Sequence, residues 1–234
     1  MPVRKHTDDF FREKKKLKNP IKFNLQLNSE QKEAKQVILD NTITLLAGKA
    51  GSGKTLLACQ IALDGLFRRC YERVIITRPT VSKEDIGFLP GDLRDKMDPW
   101  VQPIYQNMYL LYGKEKVQPY IDEGKIEIVP VSFMRGRTFL DSMVIVDEAQ
   151  NVTMGQMEMI VTRVGLRSKM VICGDDGQVD LKHKRDSGFK FLYNAAKGIK
   201  NLAAITLLKN HRDPIVDDLI DLYYREQENT DTSK

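Results

Sequence analysis

The stretch TITLLAGKAGSGKTLL, residues 42–57, decides the fold. Thr42 to Ala47 is a chargeless, largely apolar run with the length of a buried strand. GKAGSGKT follows it directly, from Gly48 to Thr55, and fits the pattern G-x-x-x-x-G-K-[ST]. Its glycines let backbone N–H groups converge on phosphate oxygens where a side chain would obstruct them. A helix predicted from Lys54 to about Arg69 turns its positive end to the same place. The loop is therefore expected to bind a nucleoside triphosphate, ATP with Mg²⁺. Lys54 would reach the β- and γ-phosphates, and Thr55 would place its hydroxyl on the metal. The candidate nucleotide positions here are Gly48, Ala50, Gly51, Ser52, Gly53, Lys54, Thr55 and Leu56.

Upstream, Ser29 is expected to cap a helix that runs to about Asp40. Gln31 lies on that helix, and its amide matches the N6 and N7 edge of adenine, although an exposed helix residue is the ordinary reading. Downstream, Arg73 to Thr77 reads as the next strand, stopped by Pro79, which completes a βαβ unit. Further strands are expected at Ile126–Pro130, Met143–Asp147, Lys169–Cys173 and Ala203–Leu208. Helices are expected near Thr153–Val164, Ser187–Ala196 and Pro214–Arg225. This alternation predicts an α/β fold, a P-loop NTPase with a mostly parallel sheet and helices on both faces. Val81 to Gly124 carries Pro90, Pro99, Pro103 and Pro119 and reads as broken helices inserted over the sheet.

A nucleotide loop needs a carboxylate from a second strand to hold the metal. MVIVDEAQ, residues 143–150, supplies four apolar residues ending in Asp147 and Glu148. Asp147 would orient the Mg²⁺ shell and Glu148 would take a proton from the attacking water, which favours hydrolysis over transfer to a second substrate. The next strand runs into GDDGQVD, residues 174–180. This brings Asp175 and Gln178 to the carboxyl edge, where ligands of open α/β sheets bind. Gln178 would sense the γ-phosphate or position the water. Asp176 and Gly177 read as a turn.

Composition limits the class. At 234 residues and 41% hydrophobic content, the chain holds one core domain, residues 23–234. Residues 1–22 form a basic arm that carries the whole net charge of +5. Such an arm suits phosphate backbones, a solvated tail being the plain alternative. Cys59, Cys70 and Cys173 are odd in number and scattered, which suggests neither disulfides nor zinc and makes a reducing cytoplasm the expected setting. No signal-like core or membrane-length apolar run is read from the chain.

Several blocks beyond the loop carry a resemblance: TRPTV (77–81), GFLPGDL (87–93), FMRGRT (133–138), VDEAQN (146–151), QMEMIVTRVG (156–165) and SKMVICGDDGQVDL (168–181). Together they resemble the PhoH-like family, related to the ATPase core of superfamily-one helicases. The resemblance implies a RecA-like core, ATP hydrolysis and a role on RNA. It maps Lys54 and Thr55 to the Walker A positions, Asp147 and Glu148 to the Walker B pair, and Gln178 to a helicase-like sensor. A second RecA domain is not read from this chain. An arginine at the γ-phosphate is therefore expected from Arg212 or Arg163, in cis or from a neighbour, and a homo-oligomeric ring is expected, most simply a hexamer.

The leading expectation is an ATPase acting with RNA or single-stranded DNA through a face bearing Arg78, Arg135 and Arg137. The competing one is a nucleotide-regulated assembly protein with no nucleic-acid role. A small-molecule kinase is disfavoured by Glu148 and the lack of an Arg-rich lid, and a GTPase by the absence of an N/T-K-x-D motif.

Overall fold

The computed structural model describes residues 21–79, 93–175, 177–179, 181, 186–216, 218, 219, 222 and 223. Residues 1–20 of the basic arm, and most of the blocks 77–81 and 87–93 beyond Pro79, lie outside the described residues.

Six strands form one sheet: β1 (Ile43–Gly48), β2 (Arg73–Arg78), β3 (Ile126–Pro130), β4 (Ser142–Val146), β5 (Lys169–Gly174) and β6 (Leu202–Leu207). Their order is β3-β2-β4-β5-β1-β6, and every pairing is parallel. This is the expected α/β fold of RecA-like type. The nucleotide-loop strand β1 is separated from the carboxylate strand β4 by β5.

Both faces of the sheet are covered because neighbouring residues along a strand point to opposite sides. Leu46, Val74, Ile76, Met143, Ile145 and Val171 pack on one side under α1 (Ser29–Asp40), α2 (Lys54–Phe67), α3 (Leu93–Tyr112) and α4 (Lys114–Asp122). Leu45, Ile75, Val144, Met170 and Ile172 pack on the other under α5 (Met154–Val161) and α6 (Gly188–Ala195). Each fully buried leucine or isoleucine contributes about 1.5–3 kcal/mol.

Two expectations are corrected. The cap of α1 is Asn28 and not Ser29, because the Asn28 carboxamide accepts from Gln31 N–H at 2.8 Å while Gln31 Oε1 accepts from Asn28 N–H at 3.2 Å. Three of the four prolines do not break the inserted segment, Pro90 lying outside the described residues: Pro99 and Pro103 lie within α3, Pro119 lies within α4, and the break falls at Gly113 with φ +85°. Burial of Ile104, Met108 and Leu111 against the α2 side holds α3 together despite the lost backbone donors. The segment packs on α2 and, through α4, on β3, and so does not lie directly over the centre of the sheet. The expected C-terminal helix is seen at residues 214–216, 218, 219, 222 and 223.

Candidate functional site

Gly51 and Gly53 have φ of +88° and +83°, the left-handed backbone that the loop needs and that side chains rarely adopt. A Cβ at Gly51 would come within 2.2 Å of Asn210 Oδ1, and one at Gly53 within 2.9 Å of Gln31 Nε2. Within this loop the Lys54 ammonium donates to the carbonyls of Gly48 (2.6 Å) and Lys49 (3.0 Å). Thr55, on the first turn of α2, donates its hydroxyl to Asp147 Oδ1 at 2.7 Å. Thr55 and Asp147 are therefore joined although they lie 92 residues apart.

Asp147 follows β4 and is buried. Burial pushes its carboxyl pKa up and neighbouring Glu148 adds to the rise, against the lowering effects of the Thr55 hydrogen bond and Arg78. A pair of hard oxygen donors, a half-buried hydroxyl and a buried carboxylate, fits Mg²⁺. A raised pKa of this kind contributes stability below the unfolded carboxyl value and loses it as pH rises through the folded value. At neutral pH the buried Asp147 carboxylate is accordingly expected to cost stability while no metal is bound. Asp147→Asn should raise the melting temperature in EDTA at pH 7.5, by roughly 2–4 °C for each kcal/mol of relieved desolvation. If Asp147 holds the metal, Mg²⁺ with ADP should raise the melting temperature of the wild type and not that of the variant. A lower melting temperature for the correctly folded variant would contradict the assignment.

Glu148 has φ +51° and ψ +38°, a left-handed conformation that is costly for a non-glycine residue. Its Oε1 accepts from Arg78 Nη2 at 3.4 Å and its Oε2 from Gln150 Nε2 at 2.7 Å. Gln150 is buried, and its own oxygen accepts from Asp175 N–H at 3.1 Å, tying the ends of β4 and β5 together. Gln150 was missed in the sequence, where its place two residues after Glu148 was the available signal. Asp175 is also buried and accepts from Gly177 N–H at 3.0 Å, closing the turn that carries exposed Gln178 into the cleft.

At the other end of the cleft, Gln31 is buried, not an exposed helix residue. Its amide and that of Asn28 have their oxygens committed to the cap, so both nitrogens face His211 Nε2, at 3.4 and 3.1 Å. His211 Nε2 accepts, and the ring proton therefore sits on Nδ1. The His211 backbone N–H donates to Gly51 O at 3.1 Å, and Glu30 accepts from the N–H groups of Leu208 and Lys209 at 2.6 and 3.3 Å. The segment after β6 is thus laid against the nucleotide loop. His211 had no sequence signal, since its partners lie about 180 residues away.

The cleft measures about 980 Å³ and is lined by Gln31, Ala50, Gly51, Gly53, Lys54, Thr55 and Leu56, with Arg212 against Gly51, and by Asp147, Glu148 and Gln178. Gly48 and buried Ser52 support the loop from behind, the Ser52 hydroxyl having no hydrogen-bond partner among the described residues. Arg212 stands at the cleft of its own chain. Arg163 does not line it: its guanidinium is held by the carbonyls of Met159 and Arg137 and by Thr162 Oγ1. Arg137 forms a two-pronged pair with Glu127, at 3.0 and 2.7 Å, and lies over Phe139. That pair commits its charge within the fold, leaving Arg78 and exposed Arg135 as the other two members of the expected face. Cys59 and Cys173 are buried with thiol pKa values pushed up by burial, which keeps them protonated and inert.

A glycine loop on β1 whose threonine meets a carboxylate at the end of β4, across a parallel sheet of this order, defines a P-loop NTPase fold. The chain belongs to the PhoH-like protein family, whose model matches residues 25–224. It is 39% identical over 203 residues to a PhoH-like protein of Synechocystis sp., covering 86% of this chain and 62% of that protein. It is 40% identical over 196 residues to a PhoH-like protein of Bacillus subtilis, covering 82% and 61%. The chain therefore spans about three fifths of the length of these relatives. The Pif1 helicase from Candida albicans aligns with a TM-score of 0.44 and 16% identity, over 84% of this chain and 43% of that one.

Proposed function

We propose that this chain is a Mg²⁺-dependent ATPase whose hydrolysis is coupled to RNA or single-stranded nucleic acid. The observation that carries the reading is Glu148, held in a strained backbone beside the joined Thr55 and Asp147. Strain of this kind persists where the surrounding structure imposes it, and it clusters at catalytic positions. Thr55 and Asp147 would hold Mg²⁺, which would supply positive charge to the β- and γ-phosphate oxygens. Lys54 stabilises negative charge on the transferring group, Glu148 accepts the proton of the attacking water, and Gln178 orients that water.

Coupling to nucleic acid is supported by Arg78 and exposed Arg135 at the carboxyl edge, next to exposed Phe133. Arg212, beside the nucleotide loop, is the arginine for the γ-phosphate. Assembly into a ring, most simply a hexamer, is supported by the exposed apolar residues Ile215, Leu219, Leu222 and Tyr223 on the helical segment after Arg212. No described helix is long and apolar enough to cross a membrane, and the cytoplasm is the proposed location.

The deciding experiment measures ATP hydrolysis with RNA, single-stranded DNA or duplex at several salt concentrations. Single strands should stimulate turnover, and the strand concentration needed should climb with salt as counterion release weakens binding. Indifference to every nucleic acid would leave the reading of a nucleotide-regulated assembly protein.

A further inference from the structure

Three neighbouring strand ends form a line from an exposed surface to Glu148. The order β3-β2-β4 sets Arg78 opposite Pro130 on one side, while its neighbour Thr77 pairs with Val146 on the other. The Asp147 N–H donates to Thr77 O at 2.8 Å, so the turn carrying Glu148 is fixed directly to the end of β2. On the far side, the chain leaves Pro130 through a short 3₁₀ turn, Val131–Met134, that presents Phe133 at 54% exposure and leads to exposed Arg135.

The two oxygens of Glu148 are held by unlike partners. Oε2 receives the buried Gln150 amide at 2.7 Å, and that amide is itself locked by the Asp175 N–H. Oε1 receives the Arg78 guanidinium at 3.4 Å, a longer contact between side chains that are 27% and 35% exposed. Each oxygen is thus held in a fixed direction by a side-chain donor. The Arg78 contact is the more exposed of the two and the one a competing anion can reach.

We propose that Arg78 restrains Glu148, and that a phosphate of single-stranded nucleic acid, entering over Phe133 and Arg135, draws Arg78 away and frees Oε1 to accept the water proton. A strand whose bases stack on Phe133 sets its backbone beside the basic groups of this edge, and guanidinium groups pair with phosphate at least as well as with carboxylate. Arg78 is thus a positioning residue linking the two sites. The inference rests on the proposed coupling of hydrolysis to nucleic acid.

The test compares wild type with Arg78→Ala and Arg78→Lys, each first shown to keep the wild-type melting temperature. The kcat of ATP hydrolysis is measured without RNA and with saturating poly(U). Arg78→Ala should raise the RNA-free kcat by roughly 2–5-fold, the population that a partly exposed ion pair can hold, and RNA should add little further. Arg78→Lys, which keeps the charge but not the planar fork, should fall between the two. An RNA-free rate in Arg78→Ala that is unchanged or lower, with RNA stimulation intact, overturns the proposal and leaves the coupling standing. A wild type indifferent to RNA, with Arg78→Ala still accelerated, retains the restraint and overturns the nucleic-acid reading instead.

Discussion

Lys54→Ala is expected to lower ATP turnover by at least about 10²–10³-fold, the cost of removing one preorganised donor from developing transition-state charge. The structure adds a second effect. Lys54 Nζ also bridges the carbonyls of Gly48 and Lys49, so alanine leaves two loop acceptors without their cation. Nucleotide affinity should fall with turnover, because in the proposed mechanism the same ammonium would face the phosphates before and during reaction. The sheet should be untouched, since Lys54 is only half-buried and the core beneath it begins at Leu57. Single-turnover hydrolysis, nucleotide titration and a melting curve separate these effects. Wild-type turnover in the folded variant would remove the loop from the mechanism.

Glu148→Gln should behave differently, keeping nucleotide affinity while slowing hydrolysis by roughly 10²–10⁴-fold, the usual contribution of a general base. Glutamine keeps an oxygen for the Gln150 amide but cannot take the water proton. It also removes the negative partner of Arg78. If Arg78 acted only through Glu148, Arg78→Ala in the Glu148→Gln background should change nothing further, a non-additivity expected of residues that work as one unit. Loss of nucleotide affinity as complete as that of Lys54→Ala would show that Glu148 serves binding and not proton transfer.

Much of the fold was legible because a buried parallel strand announces itself locally. The run before Gly48, the run before Asp147 and the run before Gly174 each place a chemical residue at a strand end, and each strand lies within a residue or two of where the pattern put it. The nucleotide loop was legible for the same reason, its requirements falling within eight consecutive residues. Long-range commitments were not. Arg137 looked available until Glu127, on the preceding strand β3, was seen to hold it across the 3₁₀ turn between them. Gln31 looked exposed because its helix is polar, yet the mouth of the cleft folds over it. The prolines of α3 misled as well, since local backbone cost was outweighed by the burial of Ile104, Met108 and Leu111.

The stitch between Asn28, Glu30 and Gln31 at one end of the domain and residues 208–211 at the other has a consequence for biosynthesis. Residues 28–31 are made well before residues 208–211, and the loop they enclose spans most of the described domain. Five strands can pair before the last is synthesised, but the wall beside Gly51 is built only after Leu208 emerges. A chain stopped short of Leu208 therefore carries the complete glycine loop without the segment that lies against it.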